Sequence, residues 1–259
     1  MQHVDNYEQT MKEKIEILSI SDKGLVRKKN EDAISYSYNL NGDLIAIICD
    51  GIGGLSAGDF ASLYISRELS LNFANTSFNN EEDLYNFFDE NIKRINSYIY
   101  NLSLTNEKFH GIGSTLCAII VFKNYLYAFN IGDSRLYELK NDLIQISEDH
   151  SFVNTLIKKQ LITKEEALNH PKRNLITNAV GINKNIKYDR YKILFNAKYY
   201  LLSTDGLHSY LSHEMIKKII SSEKKEQDKL NELLKLVYQN GAIDNITVVL
   251  IINKGDYNE

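Results

Sequence analysis

The chain has 259 residues, 43% of them apolar and 25% charged, with a formal net charge of −4. That is the make-up of a folded chain long enough to bury a sizeable core, and it excludes a disordered one. The mild acidity also argues against a general electrostatic grip on nucleic acid or anionic lipid, which needs clustered Lys and Arg.

Charges run through the first twenty residues, where a signal peptide needs an apolar centre, and no apolar run approaches the roughly 18 residues of a membrane span. Cys49 and Cys117 lie inside apolar runs and read as buried strand residues, a usage that fits a reducing compartment. The expectation is a cytoplasmic protein with a short tail over 1–13 and one domain over 14–255.

In chain order, AISYSY, NLNGD and LIAIICD (33–50) predict a hairpin turning at Asn41-Gly42. SAGDFASLYISRELSLNF (56–73) predicts a helix capped by Ser56, with Phe60, Leu63, Tyr64, Arg67 and Leu69 near helical spacing. EEDLYNFFDENIKRINSYIYNL (81–102) predicts a second helix, its stripe formed by Leu84, Phe87, Phe88, Ile92, Ile95 and Ile99. Two more hairpins follow in 115–133 and 135–147, turning at Lys123-Asn124 and Asn141-Asp142. Residues 151–180 hold two short helices that end near Pro171. KYYLLSTDG (198–206) and NITVVLIIN (245–253) are apolar runs of strand length, and HEMIKKIISSE and KLNELLKLVYQN form a helix pair between them. Antiparallel hairpins interrupted by pairs of amphipathic helices predict an α+β fold, sheets in layers with helices packed outside.

Carboxylates gather at the strand ends. Asp50-Gly51 follows LIAIIC, Asp205-Gly206 follows KYYLLST, and Asp133 follows YAFNIG. Asp244 stands before NITVVLII, and Glu31-Asp32 before AISYSY. Singly, each Asp-Gly reads as a turn; together, each against a buried strand, they read as oxygen donors for a hard cation such as Mg²⁺ or Mn²⁺. Residues 53–58 have the G-x-x-x-x-G spacing of a nucleotide loop, but Asp59-Phe60 replace the Lys-Ser/Thr that such a loop requires. Ser114 and Ser134 have no His/Asp constellation at recognisable spacing.

Eight segments in order resemble the metal-dependent type 2C protein serine/threonine phosphatases (the PPM family) in their compact bacterial form. They are SDKGLVRKKNEDA (21–33), CDGIGGLSAGDFAS (49–62), GIGSTL (111–116), NIGDSRLY (130–137), SEDHS (147–151), HPKRNLITNAVG (170–181), STDGL (203–207) and DNITVVLI (244–251). The resemblance implies a four-layer α-β-β-α sandwich of two antiparallel sheets flanked by helix pairs, with a small helical flap over about 151–180. It implies that Asp50 bridges two metal ions, Mn²⁺ or Mg²⁺, and that the Gly51 carbonyl ligates one of them, with Asp205 and Asp244 completing the first site and Glu31 belonging to the second, partly through water. Asp133 with Asp205 would hold the third metal of bacterial members. Arg27 would grip the substrate phosphate, making Arg27 and Asp50 the catalytic residues, with Asp32 supporting the ligands from behind.

The implied reaction is in-line attack of a metal-bridging hydroxide on a phosphomonoester, with no phosphoenzyme intermediate. The implied partners are phosphoserine and phosphothreonine proteins, opposite a serine/threonine kinase, with no nucleic acid and no membrane span; a monomer is expected. Two departures stand out. Ile52 occupies the place where some members have a histidine, so a general acid there is not expected, and 181–200 departs from the family's usual wording. His150 reads as a residue that fixes a turn, and His170 and His208 as surface or flap residues. A binding module with a degenerate phosphatase fold would show lost ligands, and a phosphodiesterase a histidine-rich metal set or a basic groove; neither signature is present.

Overall fold

The computed structural model describes residues 14–53 and 57–255; the expected tail 1–13 and the Ser56 cap lie outside the described residues. Strand β3 (Leu44–Ile52) shows how the layers arise. Its side chains alternate across the sheet. Ile45, Ile47 and Cys49 face a helix pair, while Leu44, Ala46 and Ile48 face a second sheet. A strand covered on both sides is apolar at every position, which is why LIAIIC carries no alternation.

β3 pairs antiparallel with β2 (Asp32–Tyr38) and with β5 (Leu116–Phe122). The sheet continues through β6 (Tyr125–Ile131) to β9 (Asp189–Leu194), while the two-residue β4 (Gly113–Ser114) pairs with the end of β3. The second sheet runs β1 (Ile15–Asp22), β11 (Ile246–Asn253), β10 (Tyr199–Ser203), β7 (Arg135–Leu139), β8 (Leu143–Gln145). Against the first sheet pack α1 (Gly58–Ala74) and α2 (Glu81–Thr105), with Phe88 stacked on Phe129 at 3.7 Å. Helices α3 (Phe152–Lys158) and α4 (Lys164–Leu168) precede β9. The four-residue α5 (Asp205–His208) follows β10, and α6 (His213–Ile220) with α7 (Glu226–Gln239) covers the second sheet. Three separate apolar cores, one between the sheets and one under each helix pair, make the four layers α-β-β-α.

The three predicted hairpins form at the predicted turns, with Gly42 and Lys123 in left-handed conformations. Cys49 and Cys117 are free and fully buried. The α2 stripe is buried throughout, but the α1 stripe is corrected in part: Leu69 is in the core and Phe60 and Tyr64 pack against it, while Leu63 and Arg67 are exposed and Ala61, Ile65 and Phe73 complete the buried face. Helix α1 begins at Gly58 behind Ala57, which makes no side-chain cap. Strands β1 and β9 are additions to the sequence reading. No helix among the described residues is long and apolar enough to cross a membrane.

Candidate active site

Antiparallel pairing brings the ends of β3, β6 and β10 to the same pole as the starts of β2, β7 and β11. Asp32 is the register partner of Asp50, Leu116 of Ile131, and Ser203 of both Arg135 and Val248. Each of those strands carries a predicted acidic residue at or beside this end, so all the predicted site residues arrive at one pole. Strand β3 does not turn at Asp50-Gly51 but continues to Ile52. Asp205-Gly206 is not a hairpin turn either; it opens α5.

Asp50 lies at the centre. Burial, followed by the charges of Asp32, Asp205, Asp133 and Asp244, pushes its carboxyl pKa well above the ordinary range. Burial leads in each neighbour too. It raises Asp133 to about 8, helped by Asp205 and Asp149, and Asp32 to about 7, against the hydrogen bonds that favour the charged form. Asp205 rises to about 6 through burial and Asp244, and Glu31 is raised by burial and by Asp59. Arg27 and Arg135 are cations that act on this group, Arg27 on Asp205 and Glu31 and Arg135 on Asp133 and Asp205. Arg27 Nη2 donates to Asp244 Oδ2 at 2.8 Å, and Asp244, Asp50 and Glu31 hold its proton more firmly, against a smaller opposing effect of burial.

Asp32 Oδ1 and Asp205 Oδ1 are buried and have no hydrogen-bond partner among the described residues. Buried carboxylate oxygens without partners are costly unless a cation faces them. No three His, Cys, Asp or Glu side chains among the described residues enclose a cation unaided. A hard cation does not require that, since it binds through one or two carboxylates and takes the rest of its shell from water. The donor set therefore fits a hard divalent cation.

Residues that the carboxylate pattern did not reveal hold this geometry. Asn245, nearly fully buried, donates from Nδ2 to the carbonyls of Lys23 and Lys29, both at 2.9 Å, and accepts at Oδ1 from the Glu31 amide at 2.8 Å. One side chain thus ties down both ends of the loop that carries Arg27. Thr115 Oγ1 accepts from the Asp50 amide and lies 2.8 Å from Ser134 Oγ, while Thr204 Oγ1 donates to Asp32 Oδ2. These hydroxyls were visible only as letters in GSTL, GDSR and STDG; nothing in their spacing told where they point.

His150 fixes the turn that leads into α3, as expected, by tying it to Gly132, the residue before Asp133: its Nδ1 accepts from the Gly132 amide at 3.2 Å, and its own amide donates to the Gly132 carbonyl. His208 is a correction. It is half-buried on the wall of the cleft beside Asp205 rather than on the outer surface or the flap; its Nδ1 lies 2.9 Å from Ser203 Oγ, and burial pushes its pKa well below 6.5. His170 sits in the turn after α4, as expected of a flap residue. Arg135 grips Asp149 with Nε and Nη2, at 2.9 and 2.6 Å, and so locks the start of β7 to the turn before α3. A cleft of about 500 Å³ runs from Asp133 and Asp205 to α3 and α4, with Lys164 and Arg173 on its far wall.

The sequence profile of the family described as Protein phosphatase 2C matches residues 26–237. The serine/threonine phosphatase stp of Listeria innocua is 32% identical over 234 residues, spanning 89% of this chain and 93% of that protein. The crystal structure of the serine/threonine phosphatase Stp1 from Staphylococcus aureus superposes with a TM-score of 0.89 at 35% identity, covering 93% of this chain and 96% of that one. The catalytic domain of the serine threonine protein phosphatase PstP, solved in complex with 2 manganese ions, gives 0.80 at 30% identity over 92% of this chain and 97% of its own. Profile, identity and fold agree that the chain belongs to the protein phosphatase 2C family, the metal-dependent protein phosphatases, in its bacterial branch.

Proposed function

We propose that the carboxylate-lined pole is where this serine/threonine protein phosphatase hydrolyses its phosphomonoesters. The observation that carries the reading is the convergence of Asp32, Asp133, Asp205 and Asp244 on Asp50, with Arg27 beside them. Asp50, Asp205 and Asp244 would hold one divalent cation, Asp50 with Glu31 a second, the Gly51 carbonyl would serve one of these two, and Asp133 with Asp205 would hold a third. Manganese is supported by the relative solved with 2 manganese ions, and Mg²⁺ shares the same preference for oxygen donors. When bound, these ions supply Lewis acidity, making a water nucleophilic at neutral pH and offsetting phosphate charge.

The chain's own residues do the rest. Arg27 presents a planar fork that matches two phosphate oxygens, a geometry a lysine lacks. Thr204 and Thr115 hold Asp32 and the Asp50 backbone in place through hydrogen bonds of 2.9 Å. Cys49 and Cys117 are excluded as nucleophiles. Burial raises both thiols, Cys117 to about 12, so neither supplies a thiolate at neutral pH. This is consistent with direct hydrolysis and no phosphoenzyme.

The substrates on this reading are phosphoproteins, and a serine/threonine kinase must supply them. Reduced, buried cysteines support a cytoplasmic setting. The experiment is release of phosphate from a phosphothreonine peptide with Mn²⁺, with Mg²⁺ and with EDTA. We expect turnover with metal, none with chelator, and a loss of at least a hundredfold in Asp50→Asn and Asp205→Asn. Undiminished turnover in both variants would sink the site assignment.

A further inference from the structure

Three large apolar side chains stand in water beside Arg27. Leu25 is 61% exposed, Val26 62% and Ile243 55%. Single exposed apolar residues are ordinary on any protein surface, but these three are not scattered. Leu25 and Val26 immediately precede Arg27, Ile243 immediately precedes Asp244, and Arg27 is bonded to Asp244 at 2.8 Å. The two loops are also joined directly, the Leu25 amide donating to the Ala242 carbonyl at 2.8 Å.

Nor do these residues sit on a loop free to fold them away. Asn245 ties the loop at Lys23, Lys29 and Glu31. The exposure is therefore imposed by the same bonds that place Arg27. The loop is also basic, with Lys23, Arg27, Lys28 and Lys29 around the apolar pair, in a chain whose net charge is −4. A basic loop with an apolar strip suits a segment carrying both phosphate and an apolar side chain. Adjacent residues of an extended peptide are only about 3.8 Å apart at Cα, so a phosphoresidue held at Arg27 sets its neighbour within reach of Leu25, Val26 or Ile243.

We infer that Leu25, Val26 and Ile243 form a docking strip for phosphoprotein segments with an apolar residue next to the phosphoserine or phosphothreonine. The inference rests on Arg27 as the phosphate grip. The test compares two phosphothreonine peptides, one with leucine on both sides of the phosphoresidue and one with serine there, using the Mn²⁺-loaded protein. The wild type is expected to favour the leucine peptide about tenfold in kcat/KM, which corresponds to about 1.4 kcal/mol. Leu25→Ser/Val26→Ser, and independently Ile243→Ser, should each shrink that preference. Equal wild-type rates on the two peptides would overturn the strip, as would variants that slow both peptides equally. Dimerisation of the wild type that is lost in Leu25→Ser/Val26→Ser would assign the strip to a second copy and overturn it too. Failure of the wild type to hydrolyse p-nitrophenyl phosphate, which has no flanking residues, would instead count against the site itself.

Discussion

Asn245 makes three hydrogen bonds with one buried side chain, two as donor and one as acceptor. Asn245→Asp keeps its shape but replaces both donated hydrogens with a carboxylate oxygen facing the Lys23 and Lys29 carbonyls. Leaving buried groups so mismatched costs about 1–3 kcal/mol, and the cost falls on the loop that positions Arg27. The expected outcome is a KM for phosphopeptide at least tenfold higher, with kcat falling less than KM rises; steady-state kinetics check it. A purely structural role would lower the active fraction and leave KM alone. The carboxylates could be picked out of the sequence because a charged residue against a buried strand is chemically conspicuous. Asn245 could not, because an asparagine after an aspartate reads as an ordinary turn residue. His208 was misplaced for a related reason: a lone histidine after Asp-Gly-Leu has no period to show that it points inward.

At the scale of elements, the site depends on how closely α5 approaches the start of β11. A Cβ on Gly206 would lie 1.8 Å from the Asn245 carbonyl oxygen, closer than any contact allows. Gly206→Ala must push α5 away, carrying Asp205 from Asp244. Overpacking of this kind costs about 1–3 kcal/mol. We expect a lower urea midpoint together with Mn²⁺ affinity weakened at least tenfold, measured by denaturation and by calorimetric titration. An alanine variant with wild-type Mn²⁺ affinity would show that the approach is not what sets the site. The elements themselves were legible where periodicity was strong, as in α2 and the three hairpins. The α1 stripe is only partly legible because small residues, Ala61, Ser62 and Ser66, line the buried side and weaken the apolar signal: Leu69, Phe60 and Tyr64 do pack on the core, while Leu63 and Arg67 face out. Strand β9 pairs on one side only, at the sheet edge, so its alternating burial leaves charged residues outward and no apolar run to read.

For the molecule as a whole, the crowded carboxylates link stability to pH and metal. In the metal-free protein the folded-state values of Asp32, Asp133 and Asp205, about 7, 8 and 6, exceed the ordinary value of 3.8, and Asp50 is raised as well. The folded state then binds more protons than the unfolded state, so stability falls as pH rises. The penalty is absent below about pH 4 and accrues up to about pH 8, the window those values set. Thermal melts in EDTA should show Tm falling from pH 5 to pH 8. Added Mn²⁺ should raise Tm more at pH 8 than at pH 5, by at least about 3 °C, since cations bind the deprotonated carboxylates. A metal-induced rise that is equal at both pH values would contradict this coupling.

The sequence by itself determined the fold class, the ordered motifs and the kinds of atom at the site, because apolar periodicity and strand-end carboxylates are local properties of the chain. Only the tertiary structure decided which backbone groups are tied together. Asn245 reaches back 214 residues to the Glu31 amide and Thr204 reaches 172 to Asp32, and bonds over such separations exist only once the two sheets have packed. The same holds for the exposed strip beside Arg27: Leu25, Val26 and Ile243 look like core residues in the sequence, and it is the pinned loops that keep them in water.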